Sequence, residues 1–164
     1  MTDHTDLLKL SNQICFLVYR IDREFNAHYR PFLKTLGLTY PQYLVMLVLW
    51  EEDGIPIGSI CTRLKLDTGT ISPLLRRLEK LGHIRRQHST IDERSYLIHL
   101  TPQGRELKAR ATSVPHCLLD SMCMTFDDYL SARHDLERLL QRVERTKLSP
   151  TDTAMPPGLD HEAL

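Results

Sequence analysis

One sixteen-residue stretch, Asp67 to Gly82 (DTGTISPLLRRLEKLG), has two faces that no single environment satisfies. Ile71, Leu74, Leu75, Leu78 and Leu81 recur at i, i+3, i+4, i+7 and i+10, so a helix gathers them into one apolar stripe. Thr68, Thr70, Ser72, Arg76 and Lys80 fall on the other side, short hydroxyls first and cations after. Such a helix buries one face in a core and offers the other to a polyanion. The hydroxyls suit base edges, while Arg76, Arg77 and Lys80 suit phosphates or the core rim. A solvated basic surface helix produces the same pattern, so the flanking sequence has to decide.

Upstream, Ile57, Ile60, Cys61 and Leu64 have the spacing of a short helix, and the turn from Lys65 to Thr68 completes a helix-turn-helix order. Cys61 lies on the core stripe of that helix and reads as a small buried hydrophobe. Before it, Thr39 and Gln42 form a capping signature with Pro41 in the first turn, opening a helix to about Asp53. Its middle, Leu44 to Trp50, is apolar almost all round and marks the most buried element. Gly54 to Pro56 reads as a chain break. Pro73 lies early in the polyanion-facing helix, which predicts a regular start near Thr70 or a bend there. Downstream, HIRRQ and YLIHL read as a β-hairpin around the polar HSTIDERS. A hairpin directly after a helix-turn-helix is a wing. Arg85 and Arg86 are candidate backbone contacts. Asp92 and Arg94 at the tip form a pair in which the carboxylate holds the guanidinium extended for a narrow minor groove.

The two ends of the chain share a different character. Leu7 to Leu36 reads as a long helix with a broad apolar stripe, a kink or break at Pro31 and a stop at Gly37. Thr101 and Pro102 open a helix that passes Arg110 and is interrupted at Pro115, and a last amphipathic helix runs from about Asp128 to near Lys147. Apolar faces at opposite ends of the chain predict a homodimer. The expected fold is mainly α with a small β-hairpin wing. Residues 1–148 form one domain: dimerisation helices at about 7–36 and 102–147 flank a winged helix-turn-helix at about 39–100. Residues 149–164, rich in proline, read as a flexible tail.

The chain carries 21 basic and 21 acidic residues in 164, so attraction to nucleic acid must come from local asymmetry, and between Arg63 and Arg110 cations outnumber anions. The longest apolar run, Tyr43 to Trp50, is too short to span a bilayer, and no secretory signal is evident. No membrane association and a cytoplasmic location are therefore expected. Cys15, Cys61, Cys117 and Cys123 form no CxxC pair, which argues against a disulfide framework or structural zinc, and His116, Cys117, Met122 and Cys123 lack a metal-ligand spacing. Neither metal nor cofactor is expected.

The helix-turn-helix, the D-x-R wing tip and the flanking helices resemble the MarR family of winged-helix repressors over roughly residues 5–147. The blocks NQICFLVYR, HYRPFL, LGLTYPQYLVMLVLWEEDG and LDTGTISPLLRRLEKLG resemble its organic-hydroperoxide-sensing (OhrR-like) branch more specifically. That resemblance implies a homodimeric repressor, not an enzyme. Such a repressor binds a double-stranded DNA operator and releases it when the first-helix cysteine is oxidised by an organic hydroperoxide. The reactive cysteine maps onto Cys15 and the two nearby tyrosines onto Tyr29 and Tyr40. A resolving cysteine, where the branch has one, maps to the region of Cys123 and Cys117, Cys123 being favoured; a small thiol could cap Cys15 instead.

The chemistry suits these residues. Only a thiolate attacks a peroxide efficiently, and an ordinary thiol, with a pKa of about 8.5, is mostly protonated. No lysine or arginine stands one turn from Cys15, and a helix starting near Leu7 puts its N-terminal dipole out of reach, so phenol donors are the available help. Tyr19, at i+4, shares the face of Cys15. Tyr29 lies fourteen helical residues away, about 21 Å at 1.5 Å per residue, and would have to come from a second subunit. Three other functions compete: a MarR-type repressor relieved by a non-covalent aromatic ligand, a thiol peroxidase, and a non-specific DNA-packaging protein.

Overall fold

A computed structural model describes residues 8–88 and 96–145. The elements in chain order are α1 (Ile14–Leu36), α2 (Tyr40–Glu51), β1 (Ile55–Pro56), α3 (Ile57–Leu64), α4 (Thr68–Lys80), β2 (Ile84–His88), β3 (Tyr96–Leu100), α5 (Pro102–Ala111), α6 (Val114–Ser121) and α7 (Phe126–Arg145). The fold is mainly helical with one small antiparallel sheet ordered β1-β3-β2. The chain divides into two units, one of residues 23–118 and one of residues 1–22 with 119–164.

The first unit holds the core. Val45, Met46, Ile60, Ile71, Leu75, Leu78 and Ile98 are all fully buried, which brings α2, α3, α4 and the sheet onto one apolar centre. The helix boundaries follow from local chemistry. Thr39 N donates to Gln42 Oε1 at 2.8 Å, the back-half of the expected capping box. α1 and α4 both stop at a glycine in the left-handed region, Gly37 (φ +71°) and Gly82 (φ +79°). At these stops the amides of Leu38 and His83 turn back onto Leu33 O and Leu78 O, each at 3.0 Å. Leu81, placed by periodicity on the buried stripe, is 43% exposed because the helix ends there.

Several sequence expectations need correction. α1 continues through Pro31 to Leu36, so of the kink or break expected there the break does not occur. Losing one amide bond costs about 3 kcal/mol, and burying Leu33 and Leu36 beyond it returns about 1.5–3 kcal/mol each. α1 also starts at Ile14, not near Leu7; Leu10–Asn12 form a separate 3₁₀ turn and Gln13 is extended. The supposed chain break at Gly54 to Pro56 contains β1, which pairs Ile55 with Ile98; proline fits because the strand is at a sheet edge. Pro115 is the second residue of α6, where a missing amide costs nothing, so it starts a helix rather than interrupting one. Leu107, Ala111, Val114 and Leu118 are buried with the first unit, so α5 packs with the winged helix.

Among its described residues the second unit has no core of its own. None of its described residues is buried. Ile14, Leu17 and Val18 on α1, and Phe126, Leu136, Leu140 and Val143 on α7, are all between 43% and 62% exposed. Thr125 caps α7, its Oγ1 accepting from the amide of Asp128 at 3.1 Å. The reciprocal bonds from Thr125 to the Asp128 carboxylate hold that carboxyl below its usual range, the hydroxyl contributing more than the amide.

Candidate functional site

α4 begins two residues earlier than its proline suggested. Asp67 is the N-cap, its carboxylate accepting from Thr70 N at 2.8 Å and Thr70 Oγ1 at 3.0 Å. Those bonds, the backbone amide's first, hold the Asp67 carboxyl below its usual range. The helix therefore starts at Thr68 and carries Pro73 in its second turn. The packing of Ile71, Leu75 and Leu78 fixes the outward side. Thr68, Thr70, Arg76, Arg77 and Lys80 are exposed there, and Ser72 is half-buried. α3 precedes it across a turn in which Lys65 is left-handed (φ 55°), and Cys61 Sγ lies 3.8 Å from Thr68 Oγ1 at the joint.

The two wing arginines are placed differently. On β2, Arg85 is exposed and its Nη1 donates to Gln87 Oε1 at 2.8 Å. Arg86 is half-buried and turned back onto α4. Its Nε lies 3.3 Å from Glu79 Oε2, its amide donates to Glu79 Oε1 at 3.2 Å, and its Nη2 donates to Ser72 O at 3.4 Å. Arg86 thus bridges the wing to the helix rather than projecting as its neighbour does. Asp92 and Arg94 lie outside the described residues, as does the tail from 149. Asp53 anchors the other side of the wing, its Oδ1 accepting from Leu100 N at 2.7 Å while its Oδ2 pairs with Arg105.

Cys15 is exposed and is the second residue of α1. Its first-turn position, with Gln13 O accepting the amides of Phe16 and Leu17, was hidden because the apolar spacing of Leu7 and Leu10 continues the helical pattern through a break. The helix dipole is positive at this end. Tyr19, exposed, follows one turn later and stacks on Phe16 with centroids 6.5 Å apart. Tyr29 and Tyr40 are brought together in the first unit, ring centroids 4.8 Å apart, and Tyr43 joins them 6.0 Å from Tyr29. Tyr43 carried no sequence signal beyond its place in an apolar run. Burial, then the charge of Tyr40, raises its phenol pKa. Beside Tyr40, a groove of about 460 Å³ has Leu33 and Leu38 at its floor and Arg30 and Lys34 at its rim.

Cys123 is exposed and left-handed (φ 51°) at the end of α6, while Cys117 is half-buried within that helix. Among the described residues, no three His, Cys, Asp or Glu side chains converge as a metal site, and no single helix is long and apolar enough to cross a membrane.

A family model, transcriptional regulator SarA/Rot, matches residues 27–111. The organic hydroperoxide resistance transcriptional regulator of Bacillus subtilis is 39% identical over 145 residues, covering 88% of this chain and 99% of that one. The solved structure of reduced AbfR bound to DNA, from a protein of Staphylococcus epidermidis, superposes with a TM-score of 0.73 at 34% identity, covering 85% of this chain and 96% of that one. The disulfide form of AbfR gives a TM-score of 0.60 at the same 34% identity, with coverages of 86% and 94%. The crystal structure of MarR matches with a TM-score of 0.66 at 29% identity over 79% of this chain and 96% of that one. The curated relatives are transcriptional regulators, not enzymes.

Proposed function

The chain belongs to the MarR-type winged-helix transcriptional regulators, which bind DNA, and from that premise we propose that it is a homodimeric repressor relieved when an organic hydroperoxide oxidises Cys15. The observation that carries the redox reading is the exposed Cys15 thiol in the first turn of α1, where the helix dipole favours negative charge, one turn from the Tyr19 phenol. In the proposed step the Cys15 thiolate attacks the outer peroxide oxygen. The O–O bond breaks, Cys15 becomes a sulfenic acid, and the alkoxide leaves and takes a proton to become the alcohol. A second thiol, Cys123 or Cys117 of a partner chain or a small thiol, then condenses with the sulfenic acid, forming a disulfide and releasing water. Support for that chemistry comes from the relatives, one an organic hydroperoxide resistance regulator and another solved in reduced, DNA-bound and in disulfide forms.

The dimer is supported by the exposed apolar faces of α1 and α7, which have no core of their own to enter. Tyr29 and Tyr40, paired in the winged-helix unit, are proposed to approach the thiol of the partner subunit. At the DNA, Thr68, Thr70 and Ser72 are proposed to read bases, and Arg76, Arg77, Lys80 and Arg85 to meet phosphates. Asp92 and Arg94 are proposed for the minor groove. The setting is the cytoplasm.

A gel shift on duplexes from the protein's own upstream region tests this reading. Wild-type protein should bind, release on addition of cumene hydroperoxide, and rebind after dithiothreitol. Cys15→Ser should bind equally and stay bound; its release at the wild-type rate would exclude Cys15 as the sensor. Release that dithiothreitol cannot reverse, and that a non-peroxidic aromatic acid reproduces, would favour a ligand-relieved repressor.

A further inference from the structure

α4 carries its proline at a position that changes the chemistry of its outward face. In an α-helix the carbonyl of residue 69 is the acceptor for the amide of residue 73, and residue 73 is Pro73, which has no amide hydrogen. The proline ring also crowds the carbonyl one turn before it and pushes it away from the helix axis. Gly69 O therefore has no amide partner at residue 73.

The position of that carbonyl gives it a target. Gly69, Pro73, Arg76 and Lys80 recur at i, i+4, i+7 and i+11, on the side opposite the buried Ile71, Leu75 and Leu78. Gly69 is exposed and has no side chain to cover its own backbone. Even a Cβ there would come within 3.0 Å of Asp67 Oδ1. One residue on, the Thr70 hydroxyl already donates to the Asp67 carboxylate. The leading edge of the helix thus offers a main-chain acceptor where its neighbouring side chain has its donor engaged. In the major groove the donors available to such an acceptor are exocyclic amino groups, N4 of cytosine and N6 of adenine.

Resting on the reading of α4 as the helix that enters the major groove, we infer that the Gly69 carbonyl reads sequence by accepting a hydrogen bond from one such amino group in each half-site. Pro73 is the positioning residue that frees it. A proline in this turn weakens the helix and strengthens recognition.

Pro73→Ala restores the amide and pairs the carbonyl within the helix. The test uses full-length wild type and Pro73→Ala on an upstream duplex, with each adenine in turn replaced by nebularine and each cytosine by 2-pyrimidinone, bases that lack the exocyclic amino group. The variant should melt at a higher temperature than wild type. At one symmetric pair of positions the analogue should weaken wild-type binding by about fivefold per half-site beyond its effect on Pro73→Ala, the worth of one hydrogen bond. Any general loss from weakened base pairing cancels in that ratio. The inference is overturned if wild type binds normally but the analogue profiles of the two proteins coincide at every position, or if Pro73→Ala melts lower. Failure of wild type to prefer any upstream duplex would instead overturn the regulator reading itself, and this inference with it.

Discussion

Replacing Arg85 or Arg86 by alanine should separate a phosphate contact from a structural bridge, although the two arginines are adjacent on one strand. Arg85 is exposed on the wing, and in the proposed homodimer Arg85→Ala would remove the two proposed phosphate contacts, one per half-site. Each contact contributes about 0.9 to the slope of log affinity against log salt, so the slope should flatten by about 1.8. Between 50 and 200 mM salt, wild type should then lose about twelvefold more affinity than the variant. Arg86 instead spends its guanidinium on Glu79, at 3.3 Å, and on Ser72 O, at 3.4 Å. Its side chain is 21% exposed and that of Glu79 41%, so solvent screens the pair and its loss is worth about 1 kcal/mol. Arg86→Ala should therefore lower the melting temperature by about 2–4 °C and weaken binding by a factor independent of salt. Fluorescence anisotropy across a salt series, with calorimetric melting of each free protein, measures both quantities. If Arg86→Ala flattens the slope as Arg85→Ala does and leaves the melting temperature unchanged, the bridge assignment is wrong.

Two further substitutions probe the junction where the wing meets α5. His83 is 6% exposed with no hydrogen-bond partner at Nδ1, and burial, followed by the charge of Arg110, lowers its pKa. Its neutral form thus contributes stability that is fully present above the ordinary value of about 6.5 and is lost as pH falls through the lower folded value; His83→Leu should flatten the decline in melting temperature below pH 6.5, and an unchanged decline would assign it to other groups. Gly104→Ala would put a Cβ within 2.0 Å of His83 O, a backbone atom held by hydrogen bonds from Thr101, so a loss of at least about 3 kcal/mol in urea unfolding is expected, and a loss below 1 kcal/mol would show that α5 can shift.

The fold was legible wherever one residue type has one physical role. The Thr39–Gln42 cap, the glycine stop at Gly37 and the apolar stripe of α4 each name a local structure, and each is observed. Prolines were harder to read, because their effect depends on what lies beyond them. Pro31 and Pro73 sit inside helices that continue to Leu36 and Lys80, held by buried leucines on their far sides, whereas Pro115 merely opens one. β1 escaped notice because a two-residue strand has no periodicity to detect; only its pairing with Ile98 defines it.

The candidate site divides along the same line. Cys15, the tyrosines and the outward residues of α4 were singled out by residue type, but what each can do depends on partners that one-dimensional spacing does not carry. Arg85 and Arg86 are indistinguishable in a string, and only the position of Glu79 on the neighbouring helix α4 turns the second of them inward. Cys15 shows the sharpest consequence. A helix beginning near Leu7 would have left the thiol dependent on phenols alone, because the dipole falls off within the first turn. With Gln13 extended and α1 starting at Ile14, the thiol stands inside that first turn, within reach of the helix dipole. Removing the Tyr19 hydroxyl should then slow the reaction with peroxide without abolishing it, since the dipole acts on Cys15 whatever occupies position 19.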